Sequence, residues 1–120
     1  MKVMIVDDSA AMRMIVKRTL KQAGFSGLKI TEAGDGQQAL EQIDSVAPDL
    51  ILCDWNMPEL NGIDVLRKLR DDGSTVKFGF ITTEGTAEMR ATAREAGAQF
   101  LISKPFTADS FEKTLRPIIG

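Results

Sequence analysis

Short uninterrupted apolar runs alternate along the chain with longer segments in which apolar residues recur every three or four positions. Val3-Met4-Ile5-Val6, Leu50-Ile51-Leu52-Cys53, Phe78-Gly79-Phe80-Ile81 and Phe100-Leu101-Ile102 read as strands buried on both faces, the kind found in parallel sheets. Leu28-Lys29-Ile30-Thr31 alternates apolar with polar, as an exposed edge strand does. Between these runs, Met12, Ile15, Val16 and Leu20 share one face of a first helix, and Ala39, Leu40, Ile43 and Val46 one face of a second. Ile63, Leu66 and Leu69 mark a third. A fourth, from about Thr86 to Ala96, offers only Met89, Ala93 and Ala96, so it is expected to be the least firmly held. The last carries Phe111, Leu115 and Ile118, opens on Thr107 as N-cap and closes near Pro117. Gly24, Gly73 and Gly97 act as helix stops, and Pro48 ends the second helix.

Strictly alternating β and α with short connections predicts an α/β fold: a doubly wound, five-stranded parallel sheet with helices on both faces. Placing the polar-alternating second strand at an edge makes the order 2-1-3-4-5 natural. The first and third strands then flank the point where the winding reverses, and ligands of open α/β sheets bind there, beyond the carboxyl ends of the strands.

The residues at those ends carry the chemistry. The first run ends on Asp7 and Asp8, the third on Asp54, the fourth on Thr82 and Thr83, and the fifth, after Ser103, on Lys104. Adjacent acids at a strand end are often no more than a helix N-cap, for which Asp8 or Ser9 would serve. A cap does not account for Asp54 at the end of the neighbouring strand. Crowded carboxylates repel one another unless a proton or cation intervenes. Oxygen ligands without histidine or cysteine point to a hard cation, Mg²⁺ or Mn²⁺ in its place. A flavin or nucleotide phosphate would be repelled by Asp7-Asp8-Ser9-Ala10, where such sites need a loop of free amides.

Composition narrows the picture further. With 120 residues, 43% hydrophobic and 27% charged, the chain fits one globular domain. Fifteen basic and seventeen acidic side chains leave a net charge of −2, which favours neither nucleic acid nor an anionic membrane. No run is long enough to span a bilayer, and Asp7 and Asp8 interrupt the N-terminal one too early for an ordinary signal peptide. Cys53 is the only cysteine, consistent with a cytoplasmic location. With no histidine and no tyrosine, any acid–base or nucleophilic step must use carboxylates, hydroxyls or lysine.

The stretch Asp54-Trp55-Asn56-Met57-Pro58-Glu59-Leu60-Asn61-Gly62 resembles the phosphoacceptor segment of bacterial response-regulator receiver domains. Val6-Asp7-Asp8-Ser9 resembles their acidic pair and Lys104-Pro105-Phe106 their closing motif. The similarity covers essentially the whole chain, residues 1–120, with no effector domain, and is strongest to the stand-alone chemotaxis members. It implies the flavodoxin-like fold, whose known 2-1-3-4-5 order is therefore not independent of the resemblance. It implies that Asp54 is phosphorylated, and that Asp8, the Asp54 carboxylate and the Asn56 carbonyl bind Mg²⁺, with Asp7 acting through a water. Lys104 and the Thr82 hydroxyl would hold phosphoryl oxygens, and the Lys104–Pro105 peptide would be cis. Asn56 and Glu84 occupy the positions that tune acyl-phosphate lifetime. Taken alone, Thr82 is a β-former at a strand end; the plain reading of Lys104 is a surface lysine, against which stands its place between an apolar strand and Pro105.

The chain departs from the family at the position three before the lysine, where an aromatic is common and Leu101 stands here. Phe100 is one residue earlier, so it points to the opposite face and is expected to pack in the core. Any switch at Leu101 works without a ring. Thr83 stands where a smaller residue is frequent and narrows access to the phosphoryl group. Arg13, Lys17 and Lys21 form a basic stripe on the first helix, read as a solvated face, with docking of an acidic phosphodonor domain as the alternative. Cys53 and most methionines are assigned to the core and Trp55 to the rim.

The expected protein is a cytoplasmic, monomeric signalling module rather than an enzyme with an external substrate. It takes a phosphoryl group from a histidine kinase or histidine phosphotransfer domain and passes the signal to an unidentified output protein, with chemotaxis as one setting. A phosphate sink or phosphotransfer intermediate is the alternative. An Asp-nucleophile phosphohydrolase is a more distant one, since such enzymes carry a second acid two residues after the nucleophile, where this chain has Asn56.

Overall fold

The computed structural model describes residues 1–119. Its strands are β1 (Lys2–Val6), β2 (Lys29–Ala33), β3 (Leu50–Asp54), β4 (Lys77–Thr82) and β5 (Phe100–Ser103). The helices are α1 (Ala10–Gln22), α2 (Gly36–Val46), α3 (Gly62–Asp71), α4 (Ala87–Ala96) and α5 (Ala108–Ile119). All neighbouring strands pair in parallel, in the order β2-β1-β3-β4-β5, as the apolar runs and the alternating edge strand predict.

Because successive strand residues face opposite ways, each buried run feeds two cores. Met4, Val6, Ile51, Cys53, Phe78, Phe80 and Leu101 join the helices α2, α3 and α4, while Val3, Ile5, Leu50, Leu52, Ile81 and Ile102 join α1 and α5. Leu101 and Phe100 thus lie on opposite faces. Phe100 packs on the α1/α5 side and fills the space over Gly79, where a Cβ would sit 2.1 Å from its ring.

Helix boundaries follow short-range chemistry. The hydroxyls of Ser9 and Thr86 accept the amides of Met12 and Met89, each at 3.1 Å, so Ser9 and not Asp8 caps α1. Thr107 Oγ1 accepts the Ser110 amide at 3.1 Å at the start of α5. Gly24, Gly73 and Gly97 follow their helices with positive φ. Of α4 only Ala93 is buried, consistent with the sparse apolar face of that segment.

Three sequence expectations need correction. Ile15 is 43% exposed rather than buried, because the face of α1 against the sheet is Val16, Thr19 and Leu20. Pro117 does not close α5; the helix continues through it to Ile119. The edge strand β2 runs to Ala33, two residues beyond Thr31.

Candidate functional site at the carboxyl edge

Parallel pairing brings four strand ends to one rim. Val6 pairs with Cys53, so Asp7 and Asp54 emerge side by side; Asp54 pairs with Ile81 and Thr82 with Ser103, the residue before Lys104. The main chain holds these ends together, with the Asp7 amide donating to Ala33 O at 3.2 Å and the Lys104 amide to Thr82 O at 2.6 Å.

Three carboxylates gather there. Asp7 is buried, Asp54 partly buried and Asp8 exposed, and each offers an oxygen within 4.8 Å of the other two. Asp7 is oriented by the Ser9 amide, which donates to its Oδ1 at 2.9 Å. Lys104 Nζ lies 3.4 Å from Asp7 Oδ2 and 3.6 Å from Asp54 Oδ1. The ammonium is therefore the protein's own counter-charge to the cluster. Burial pushes the Asp54 carboxyl above its usual range and the Asp7 charge adds to this, while Lys104 and the Trp55 amide pull it back. Burial likewise pushes the neighbouring Cys53 thiol well up, which leaves it a core residue with no thiolate chemistry. An oxygen-only donor set this close, exposed at Asp8, suits a hard divalent cation that keeps several waters.

The remaining candidates lie around this cluster without all joining it. Asn56 is exposed in the loop after β3, two residues past Asp54, and Thr83 and Glu84 are exposed beyond β4. Thr82 is fully buried, and its hydroxyl accepts the Glu84 amide at 3.2 Å. Leu101 lies two residues back from the strand end, only 8% exposed on the α4 side. Trp55 is half-buried and packs on Phe80 with ring centroids 4.6 Å apart, so it is both rim and core. The Lys104–Pro105 peptide is cis.

The basic stripe is only partly a solvated face. Arg13 donates to the Asp7 carbonyl at 2.6 Å and to Glu32 at 3.0 Å, and Lys17 reaches the same Glu32 at 2.9 Å. Arg13 thus ties α1 and β2 to the main chain of the acidic pair, while Lys21 remains exposed. The i, i+4 spacing of Arg13 and Lys17 was the available signal, but Glu32, their partner, lies far along the chain. Gly62 is a second residue whose role only the structure reveals. Its amide donates to Trp55 O at 2.8 Å, and a Cβ there would sit 2.2 Å from Asp54 O. Only glycine lets α3 start directly against the strand end that carries Asp54.

A family model for the response regulator receiver domain matches residues 3–116. Chemotaxis protein CheY1 of Helicobacter pylori is 40% identical over all of this chain and 98% of its own length. A probable chemotaxis protein CheY of Rhizobium etli is 34% identical over 99% of this chain and 92% of its own. Among solved structures, chemotaxis protein CheY4 of Vibrio cholerae superposes with a TM-score of 0.85 at 31% identity, over 98% of this chain and 97% of that one.

Proposed function

This chain belongs to the response regulator receiver domain family, and from that premise we propose that it is a cytoplasmic receiver that accepts a phosphoryl group on Asp54. The donor is the phosphohistidine of a histidine kinase or histidine phosphotransfer domain. An Asp54 oxygen forms the new bond to phosphorus as the bond to the donor's imidazole nitrogen breaks. The observation that carries this reading is the position of Asp54: at a strand end, 3.6 Å from Lys104 and within 4.8 Å of two further carboxylates.

Each residue has a part that its chemistry suits. Transfer to a carboxylate demands in-line placement and neutralisation of phosphoryl charge more than covalent help from the protein. Asp7, Asp8 and Asp54, with the Asn56 carbonyl, would hold Mg²⁺, which supplies positive charge to the phosphoryl oxygens when bound. Lys104, already between Asp7 and Asp54, is placed to trade a carboxylate for a phosphoryl oxygen. The Thr82 hydroxyl accepts one bond and still has a hydrogen to donate. Asn56 and Glu84, both exposed beside the rim, would set access of water to the acyl phosphate and hence its lifetime.

The output is a shift between two arrangements of the sparsely anchored α4 and its neighbours, read by a partner protein, in chemotaxis as for the named relatives. Leu101, without a ring, favours a change in helix order over an aromatic flip, and it also keeps open a phosphate sink. Acetyl phosphate with Mg²⁺ should add one phosphoryl group, labile to base and hydroxylamine, and Asp54→Asn should abolish it. Undiminished labelling of Asp54→Asn sinks the assignment. Beryllofluoride should protect amides of residues 83–96 from exchange; binding without protection would favour the sink.

A further inference from the structure

Arg90, at the end of the first turn of α4, is exposed along its stem, yet its guanidinium donates to three acceptors on two other segments. Nε reaches Gly85 O at 3.3 Å, Nη1 reaches Leu101 O at 3.1 Å and Nη2 reaches Ser103 Oγ at 3.1 Å. Gly85 belongs to the loop between β4 and α4, directly after Glu84, and Ser103 directly precedes Lys104. The loop is seated flush on the end of β5: a Cβ at Gly85 would fall 2.1 Å from Ser103 Oγ and 3.2 Å from Arg90 Nη2. One planar, permanently charged fork therefore joins the start of α4, the loop carrying Glu84 and the strand that carries Leu101 and leads into Lys104. A lysine has three donors too, but all on one nitrogen, and so cannot reproduce the spread of acceptors that Nε, Nη1 and Nη2 reach.

The same loop controls Thr82. Its hydroxyl is fully buried and engaged by the Glu84 amide. The Thr82 hydroxyl can donate its hydrogen while keeping the Glu84 amide, so any movement of Thr82 carries that amide with it, and Gly85, the next residue, is held by Arg90 and seated against Ser103. We propose that Arg90 is a positioning residue that holds the β4–α4 loop and the first turn of α4 in the resting arrangement, so that phosphorylation works against its three bonds. With Leu101 in place of an aromatic, coupling between rim and α4 runs through this polar clamp on the Leu101 carbonyl and the Ser103 hydroxyl. The proposal rests on the phosphorylation of Asp54 and adds to it the residue that sets how readily the domain switches.

Beryllofluoride with Mg²⁺, titrated against Trp55 fluorescence, measures this directly, with amide exchange over residues 83–96 as a second readout. Arg90→Gln should bind beryllofluoride about five-fold more tightly, the low end of coupling between two sites, and its loop amides should exchange faster before the ligand is added. Arg90→Lys should fall between the parent and Arg90→Gln. Ser103→Ala removes one acceptor without touching Arg90, should shift affinity the same way by less, and decides the matter if Arg90→Gln does not fold. Faster exchange with unchanged or weaker beryllofluoride affinity means that Arg90 only tethers the helix, and overturns the proposal. If the parent chain shows no Asp54-dependent binding, the phosphorylation reading falls and this proposal falls with it; normal parent binding with unaltered affinity in the variants overturns this proposal alone.

Discussion

Lys104→Met isolates the electrostatics of the rim, because methionine keeps the length of the stem and deletes the charge. The ammonium stands 3.4 Å from Asp7 and 3.6 Å from Asp54, and the side chains of Lys104, Asp7 and Asp54 are only 13%, 6% and 11% exposed. At an effective dielectric constant of about 20, each such pair has a Coulomb energy on the order of 5 kcal/mol. Desolvation offsets most of that, leaving about 1–3 kcal/mol of net coupling. Since ammonium and divalent cation draw on the same carboxylates, deleting the first strengthens the second. A coupling of that size corresponds to roughly 5- to 150-fold in affinity, and a value near tenfold is expected once screening at the open Asp8 side is included. Titrating Mg²⁺ against Trp55 fluorescence should therefore give a lower Kd for Lys104→Met than for the parent. In EDTA the variant should melt below the parent, because its carboxylates lack a counter-charge, and saturating Mg²⁺ should close that gap. Unchanged or weaker Mg²⁺ affinity in a folded variant would refute the reasoning, showing either that the ion binds elsewhere or that Lys104 does not neutralise the cluster.

Asp54→Asn should melt higher than the parent at pH 7 in EDTA. Burial raises the folded-state pKa of Asp54 above 3.8, so the parent loses stability as pH rises through that pKa; asparagine is spared this loss, and the two curves should converge below about pH 4. A gap that persists at acid pH contradicts this. Gly62→Ala should cost about 1–3 kcal/mol in denaturant unfolding, since its Cβ would meet Asp54 O at 2.2 Å, and should slow labelling of Asp54 by acetyl phosphate; wild-type stability would refute the steric requirement for glycine there. Glu32→Gln frees Arg13 and Lys17 but should cost under about 1 kcal/mol, a difference that high salt should erase; a large, salt-independent loss would assign these pairs more than a surface role.

Strand and helix identities, the edge position of β2, the two-faced burial of the central strands and the cap at Thr107 are legible in the sequence, because period, burial and capping are set by residues a few positions apart. The opposite facing of Phe100 and Leu101 followed from the pleat alone. Ile15 faces solvent because consecutive apolar residues on a helix cannot all face the core, and which of them do depends on the angle at which α1 meets the sheet. Pro117 sits inside α5 because burial of Leu115 and its neighbours in the core outweighs a local helix breaker.

The sequence alone determined that Asp7, Asp8, Asp54, Thr82 and Lys104 lie at or just past strand ends, and a parallel sheet places all such positions on one edge. Only the tertiary structure decided which of them touch. Lys104 meets Asp7 across 97 residues of chain, Arg13 reaches the Asp7 carbonyl and Glu32, the Thr82 hydroxyl turns to the Glu84 amide, and Arg90 spans loop and strand. Strand order and register set these distances, and a contact between two side chains depends on both at once. Hydrophobic periodicity reports how each segment lies against the core; it carries no record of which polar tips, leaving different strands at the same edge, come within 4 Å of one another.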